Sequence, residues 1–121
     1  MINVIKRDGE KADFSLNKIT EAIKKAFKAT GKEFNNEILE LLSLRVTADF
    51  QDKMDGDTIG VEQIQDSVEH VLEQTGYTDV AKAYILYRKQ REKIRNMKNT
   101  ILDYKDVVNG YVKVEEWRVK E

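Results

Sequence analysis

The most constraining feature of the chain is a helical stripe at Val61, Ile64, Val68, Val71 and Leu72, closed by Gly76. Apolar side chains recurring at i, i+3 and i+4 line one face of a helix and commit that face to a core. A second stripe, Leu16, Ile19, Ile23, Ala26, Phe27 and Thr30, lies between Ser15 and Gly31. Ser is a preferred helix N-cap and Gly a preferred stop, so helix one is expected over 16–30. Ile38, Leu41, Leu42, Val46 and Phe50 predict helix two over 36–54, ended by Asp55-Gly56-Asp57. Helix three is expected over 61–75. Val80, Ala81, Tyr84, Ile85 and Tyr87 predict helix four over 78–97, with Thr78 as its cap. No proline interrupts any of these runs.

Before the helices, Ile2, Val4 and Ile5 form a β-prone run followed by Asp8-Gly9. That pair suits a two-residue hairpin turn, so a β-hairpin is predicted over 2–14 with its return strand at 11–14. The expected fold is α+β: an N-terminal hairpin capping a four-helix cluster, joined by short loops. Residues 1–98 are read as one domain. Residues 99–121 are rich in apolar side chains without a clear helical period, and Asn109-Gly110 signals a turn. They are read as an irregular tail: a linker and the start of a further domain. Val112 and Val114 hint at strand alternation within it.

Charged residues make up 36% of the chain, which fits helices with densely charged outer faces. The formal net charge is only −1, against a chain that binds nucleic acid through its whole surface. Without a single cysteine there is no disulfide, zinc ribbon or thiol chemistry. No stretch approaches the roughly 18 apolar residues of a membrane span, and the N-terminus lacks a signal-peptide pattern. A cytoplasmic protein is expected.

Three places carry candidate chemistry. Lys6-Arg7-Asp8-Gly9 puts two cations at a tight turn, and Lys18 adds one in the first turn of helix one. Phosphates are held by fixed positive charge and by free backbone N–H groups at helix starts. Lys18 opposes the helix dipole, a conflict that a bound polyphosphate would relieve. A charged hairpin tip in solvent is the competing account. Second, Arg88, Lys89, Arg91, Lys93, Arg95 and Lys98, with Glu92 the lone acid among them, form a basic helix end. It suits either nucleic-acid phosphates or simply the negative end of a helix dipole. Third, His70 is the only histidine and lies off the apolar stripe of helix three, as a surface side chain would. With no second histidine and no cysteine, no metal site is expected. Thr30-Gly31-Lys32 lacks the glycine that a P-loop requires five residues before its second glycine. The carboxylates are scattered, and no nucleophile–base pair can be built from their spacing. No catalytic residue is expected.

The order of these motifs resembles one family. Val4-Ile5-Lys6-Arg7-Asp8-Gly9, then Phe14 through Lys18-Ile19 and Ala22-Ile23-Lys24-Lys25-Ala26, is similar to the opening of ATP-cone domains. Val61-Glu62-Gln63-Ile64-Gln65-Asp66 resembles the family's third-helix motif, and Ala81-Lys82-Ala83-Tyr84-Ile85-Leu86-Tyr87-Arg88 its fourth. Leu102-Asp103-Tyr104 and Asn109-Gly110-Tyr111-Val112-Lys113-Val114-Glu115-Glu116-Trp117 look like the passage into the catalytic body of anaerobic ribonucleoside-triphosphate reductases. The resemblance implies a regulatory domain without catalysis of its own. It would bind ATP or dATP with Mg²⁺, set the activity of a catalytic domain in the same parent chain, and change its homo-oligomeric state with the nucleotide. It further implies Lys6, Arg7 and Lys18 as a triphosphate clamp and Val4 and Ile19 as the apolar flank of adenine or ribose. Gln65 becomes a polar contact from helix three, and Tyr87 and Arg88 contacts from helix four. Two positions depart from the family: Ala12 replaces an acid that some members use to read adenine, and Val61 replaces a threonine. Asp13 or Ser15 is the expected substitute for that acid. The rivals from other classes are a nucleic-acid module using residues 88–98 and an oligomerisation domain indifferent to nucleotide.

Overall fold

The computed structural model describes the backbone of residues 2–107 and the side chains of residues 2–98. Three strands and four α-helices follow in the order β1 (Asn3–Ile5), β2 (Lys11–Asp13), α1 (Leu16–Thr30), α2 (Asn36–Asp49), β3 (Thr58–Gly60), α3 (Val61–Gln74) and α4 (Thr78–Val107). A single 3-10 turn, Gln51–Lys53, joins α2 to β3. The fold is α+β, as the sequence predicts. The chain divides into compact units of residues 1–86 and 87–121.

The predicted hairpin is present, with Val4 opposite Ala12 and Ile5 opposite Lys11. Its loop is one residue longer than the tight turn expected of Asp8-Gly9. The Lys6 N–H donates to the Glu10 carbonyl at 2.8 Å and the Gly9 N–H to the Lys6 carbonyl at 3.0 Å. The loop is therefore Arg7-Asp8-Gly9. Gly9 closes it at φ +89°, where a side chain would be strained. Asp8 accepts the Glu10 N–H through Oδ1 at 3.0 Å and stiffens the loop further.

A third strand was not expected. β3 pairs with β1 in parallel, giving the order β2-β1-β3 with Val4 opposite Ile59 and Ile5 opposite Gly60. Only Ile59 of the strand is fully buried. Three residues with one buried side chain carry no period-2 pattern, so sequence alone shows only a loop.

The helix starts differ from their prediction in chemistry rather than in place. Ser15 stands at the N-cap of α1 with extended backbone, but its side chain makes no capping hydrogen bond. Asn35 caps α2 fully, its Oδ1 accepting the Ile38 N–H at 2.8 Å. α3 starts after Gly60, whose N–H donates to Gln63 Oε1 at 3.0 Å. Gly31 takes the left-handed conformation that stops α1.

One core joins the elements of residues 1–86. It contains Ile19, Ile23, Ala26 and Phe27 of α1, Leu39, Leu42 and Val46 of α2, and Phe50. Ile59 of β3, Ile64, Val68, Val71 and Leu72 of α3, and Val80, Ala81 and Tyr84 of α4 complete it. The stripe of α2 is rotated from its expected face. Leu39, Leu42, Ser43 and Val46 are buried, whereas Leu41 is 55% exposed. Leu41 and Leu42 are adjacent leucines, and only the complete set of neighbours decides which of them turns inward. α2 also ends at Asp49, short of the expected 54. Phe50 is fully buried against Phe14, ring to ring at 5.6 Å, and the chain turns there. Among the described residues the buried polar side chains, Ser43 and Ser67, are both satisfied. Ser43 donates to the Leu39 carbonyl and bonds Thr20 across to α1, and Ser67 bonds Lys53.

α4 runs to Val107, ten residues past its expected end at 97. Residues 99–107, expected to be part of an irregular tail, are helical. Residues 98–107 contain no glycine or proline, so nothing in them stops a helix. Met97, Ile101 and Tyr104 stand at helical spacing in this stretch of the sequence. The Asn109-Gly110 turn and the Val112–Val114 alternation lie outside the described residues. The expected domain boundary after residue 98 falls inside α4.

Candidate functional site

The parallel pairing of β1 and β3 decides which residues meet. Because Ile5 lies opposite Gly60, the loop leaving β1 stands beside the start of α3. In parallel pairs both strands deliver their following segments to the same edge of the sheet, and such edges are where binding loops gather. Arg7 spans this junction. Its Nη1 donates to Glu62 Oε2 at 2.9 Å and its Nη2 to Gln65 Oε1 at 2.9 Å. Glu62 and Gln65 are three residues apart on one helix face, a spacing that presents two acceptors to the two ends of one guanidinium.

Two of the expected site residues, Arg7 and Gln65, are thus joined directly. Lys6 and Lys18 are exposed and make no ion pair among the described residues. Among the described residues, the hydrogen bonds of Arg7 go to Glu62 and Gln65 rather than toward Lys18. Lys18 sits in the first turn of α1, which contains no acid and starts without a side-chain cap. Those amide donors and these cations match the chemistry of a polyphosphate. Val4 is half-buried and packs on the core from the sheet, while Ile19 is 6% exposed within it. Tyr87, 38% exposed, and Arg88, half-buried, lie on α4 in the second unit. Of the two proposed substitutes for the missing acid at Ala12, Asp13 is exposed and Ser15 half-buried. Glu62 was overlooked. It lies within the 61–66 motif, and its i, i+3 relation to Gln65 is the sequence signal that points to it.

His70 is 54% exposed, as expected, but it is not alone. Its Nδ1 lies 2.9 Å from Asp49 Oδ1 at the end of α2. Asp49 also bonds Ser67, which accepts Lys53 Nζ at 3.2 Å. An aspartate, a histidine and a serine together invite a catalytic reading, but the connectivity forbids it. Ser67 is fully buried, and both Ser67 and His70 bond the carboxylate rather than each other. The group fastens α2 to α3. Partial burial of Asp49 pushes its carboxyl up. Hydrogen bonds from Ser67 and His70, with the charges of His70 and Lys53, outweigh that and hold it below its ordinary value. A carboxylate lowered in the folded state adds stability above its unfolded value and loses it as pH falls through the lowered one. Asp49→Asn is expected to cost about 1–2 kcal/mol near neutral pH. In urea unfolding the gap to the parent should begin to shrink below about pH 4, where the unfolded carboxyl protonates, and close as pH falls through the lower folded-state value. A gap independent of pH would show that charge plays no part.

Among the described residues no group of three or more His, Asp or Glu side chains could hold a metal ion. No helix among them is long and apolar enough to cross a membrane.

The arrangement of a hairpin loop beside the start of α3, with Lys18 in the first turn of α1, belongs to a chain that comparison with known proteins assigns to a family. Residues 2–93 match the ATP cone domain, and the chain belongs to that family. It is 41% identical over 105 residues to a ribonucleoside-diphosphate reductase subunit alpha of Chlamydia pneumoniae, covering 82% of this chain and 10% of that one. It is 44% identical over 100 residues to a vitamin B12-dependent ribonucleoside-diphosphate reductase of Thermoplasma acidophilum, covering 78% and 12%. An anaerobic ribonucleoside-triphosphate reductase of Haemophilus influenzae is 35% identical over 109 residues, covering 81% and 14%. The chain thus spans only a small fraction of the length of these relatives.

Proposed function

We propose that this chain is a regulatory nucleotide-binding domain that sets the activity of a ribonucleotide reductase and catalyses nothing itself. What carries the proposal is the combination of an ATP-cone match over residues 2–93 with uncommitted cations at the β1 loop and the α1 start. Lys6, Arg7 and Lys18 clamp the triphosphate of ATP or dATP. Gln65 holds the Arg7 side chain and offers its amide to the same ligand. Val4 and Ile19 form the apolar flank of the base or ribose. Mg²⁺ accompanies the triphosphate and shares its charge with the cations. ATP permits activity and dATP withdraws it by changing how the domains associate. Such a device is allosteric because the two nucleotides favour different assemblies.

The relatives named above include diphosphate and triphosphate reductases, so the reductase assignment stands apart from its class. The anaerobic triphosphate class is our choice because of Leu102-Asp103-Tyr104 and the 109–117 segment. The catalytic domain of the parent chain is then the partner, and the compartment is the cytoplasm.

Molecular mass followed by light scattering, with ATP and then dATP, tests the regulatory half of this proposal. A mass change that differs between the two nucleotides is expected. Self-association blind to nucleotide would favour a purely structural domain. A steeply salt-dependent affinity for duplex DNA matching that for ATP would instead assign the work to the Arg88–Lys98 helix.

A further inference from the structure

We infer that Glu62 is a built-in competitor for the nucleotide's phosphate at Arg7, and so sets the affinity of the site. The inference rests on the nucleotide-binding proposal above. Arg7 is the one clamp residue whose charge is already engaged. Its Nη1 faces Glu62 at 2.9 Å, while Lys6 and Lys18 make no ion pair among the described residues. A carboxylate and a phosphate use the same guanidinium donors in the same plane, so the two compete for Nη1.

The two partners of Arg7 divide the work by their chemistry. Gln65 is neutral and half-buried, and accepts from Nη2. It keeps the guanidinium oriented whatever occupies Nη1, and does not repel an incoming anion. Glu62 is charged, and its side chain is 63% exposed against 29% for Arg7. Exposed ion pairs contribute little, so the pair opens readily once a multivalent anion arrives. Released, Glu62 stays in the first turn of α3, where an acid is favoured by the helix dipole. Its release is therefore cheap. Opening the pair frees Glu62 in the first turn of α3, while Gln65 keeps the β1–β2 loop fastened to the same helix. The occupant of Arg7 is thus reported directly to the start of α3.

The sign of one substitution decides between competition and support. Glu62→Gln keeps the size and the acceptor oxygen but removes the charge. As a competitor, Glu62 should be missed by ATP: the dissociation constant falls roughly two- to five-fold, the range of an exposed ion pair. The gain should diminish in high salt, and the thermal midpoint should barely move. Glu10→Gln is the control. Glu10 lies in the same loop region, is exposed, and its side chain does not bond Arg7. Calorimetric titration of the parent and both variants with Mg-ATP is the experiment. Tighter binding in Glu62→Gln alone is the expected result. Unchanged or weaker binding in Glu62→Gln, or equal tightening in Glu10→Gln, overturns the competitor role while leaving nucleotide binding intact. Absence of binding by the folded parent protein overturns the nucleotide proposal and the competitor role together.

Discussion

Phe27→Ala is expected to destabilise the fold by about 3–5 kcal/mol, the cost of removing a buried aromatic ring from a packed core. Phe27 is fully buried at the end of α1. Its ring meets Phe34 at 5.7 Å, in the loop to α2, and Tyr77 edge-on at 5.1 Å, in the loop to α4. One side chain therefore anchors two loops to a helix. Truncation leaves a cavity that Phe34 and Tyr77, each fixed by its own backbone, fill only in part. Domains of this size are stable by only about 5–15 kcal/mol, so the variant stands near the edge of folding. Denaturant unfolding should show a much lower midpoint with a similar slope, because the surface exposed on unfolding is nearly the same. Phe27→Leu, which restores most of the volume, should recover a large part of the loss. A cost below about 1 kcal/mol would mean that the site collapses freely and that this cluster does not organise the core.

The second large effect concerns binding. Lys6→Ala together with Lys18→Ala is expected to weaken ATP binding by about two orders of magnitude or more. Hydrogen bonds to charged groups contribute about 1.5–3 kcal/mol each, and two are removed. Both side chains are exposed and unpaired among the described residues, so the folded state loses nothing it relies on. The Lys18 change should even favour α1, since a cation in a helix's first turn opposes the dipole. Reduced affinity with an unchanged or higher thermal midpoint is the signature of a binding role. Unchanged affinity would remove both lysines from the site and leave Arg7 without the companions the clamp requires.

Much of this fold is legible in the sequence. The stripes of α1 and α3 are strongly periodic and end at glycines, and both helices form where their spacing places them. What escapes the sequence depends on partners far along the chain. β3 exists because the edge of β1 is available to Thr58–Gly60, not because those three residues prefer a strand. The choice of Leu42 over Leu41 for the core is settled by packing against α1 and α3. α4 extends past its expected end through residues 98–107, which hold no glycine or proline to stop a helix.

The site is legible in a different measure. Its loop cations and helix-start lysine are visible as residue types that phosphate chemistry needs. The meeting of Arg7 with Gln65 is not, because it follows from the parallel β1–β3 register and spans 58 positions. Glu62 escaped for the same reason, since an acid in the first turn of a helix looks like an ordinary partner of the dipole. Only its 2.9 Å approach to Arg7 gives it a second role.

The central claim is that this domain recognises an adenine nucleotide triphosphate. Isothermal titration of the protein with Mg-ATP, Mg-dATP and Mg-GTP tests it most directly. Saturable binding of both adenine nucleotides at a defined stoichiometry, with GTP markedly weaker, is the predicted result. A folded protein that takes up heat from none of them, or binds all three alike, would contradict the claim.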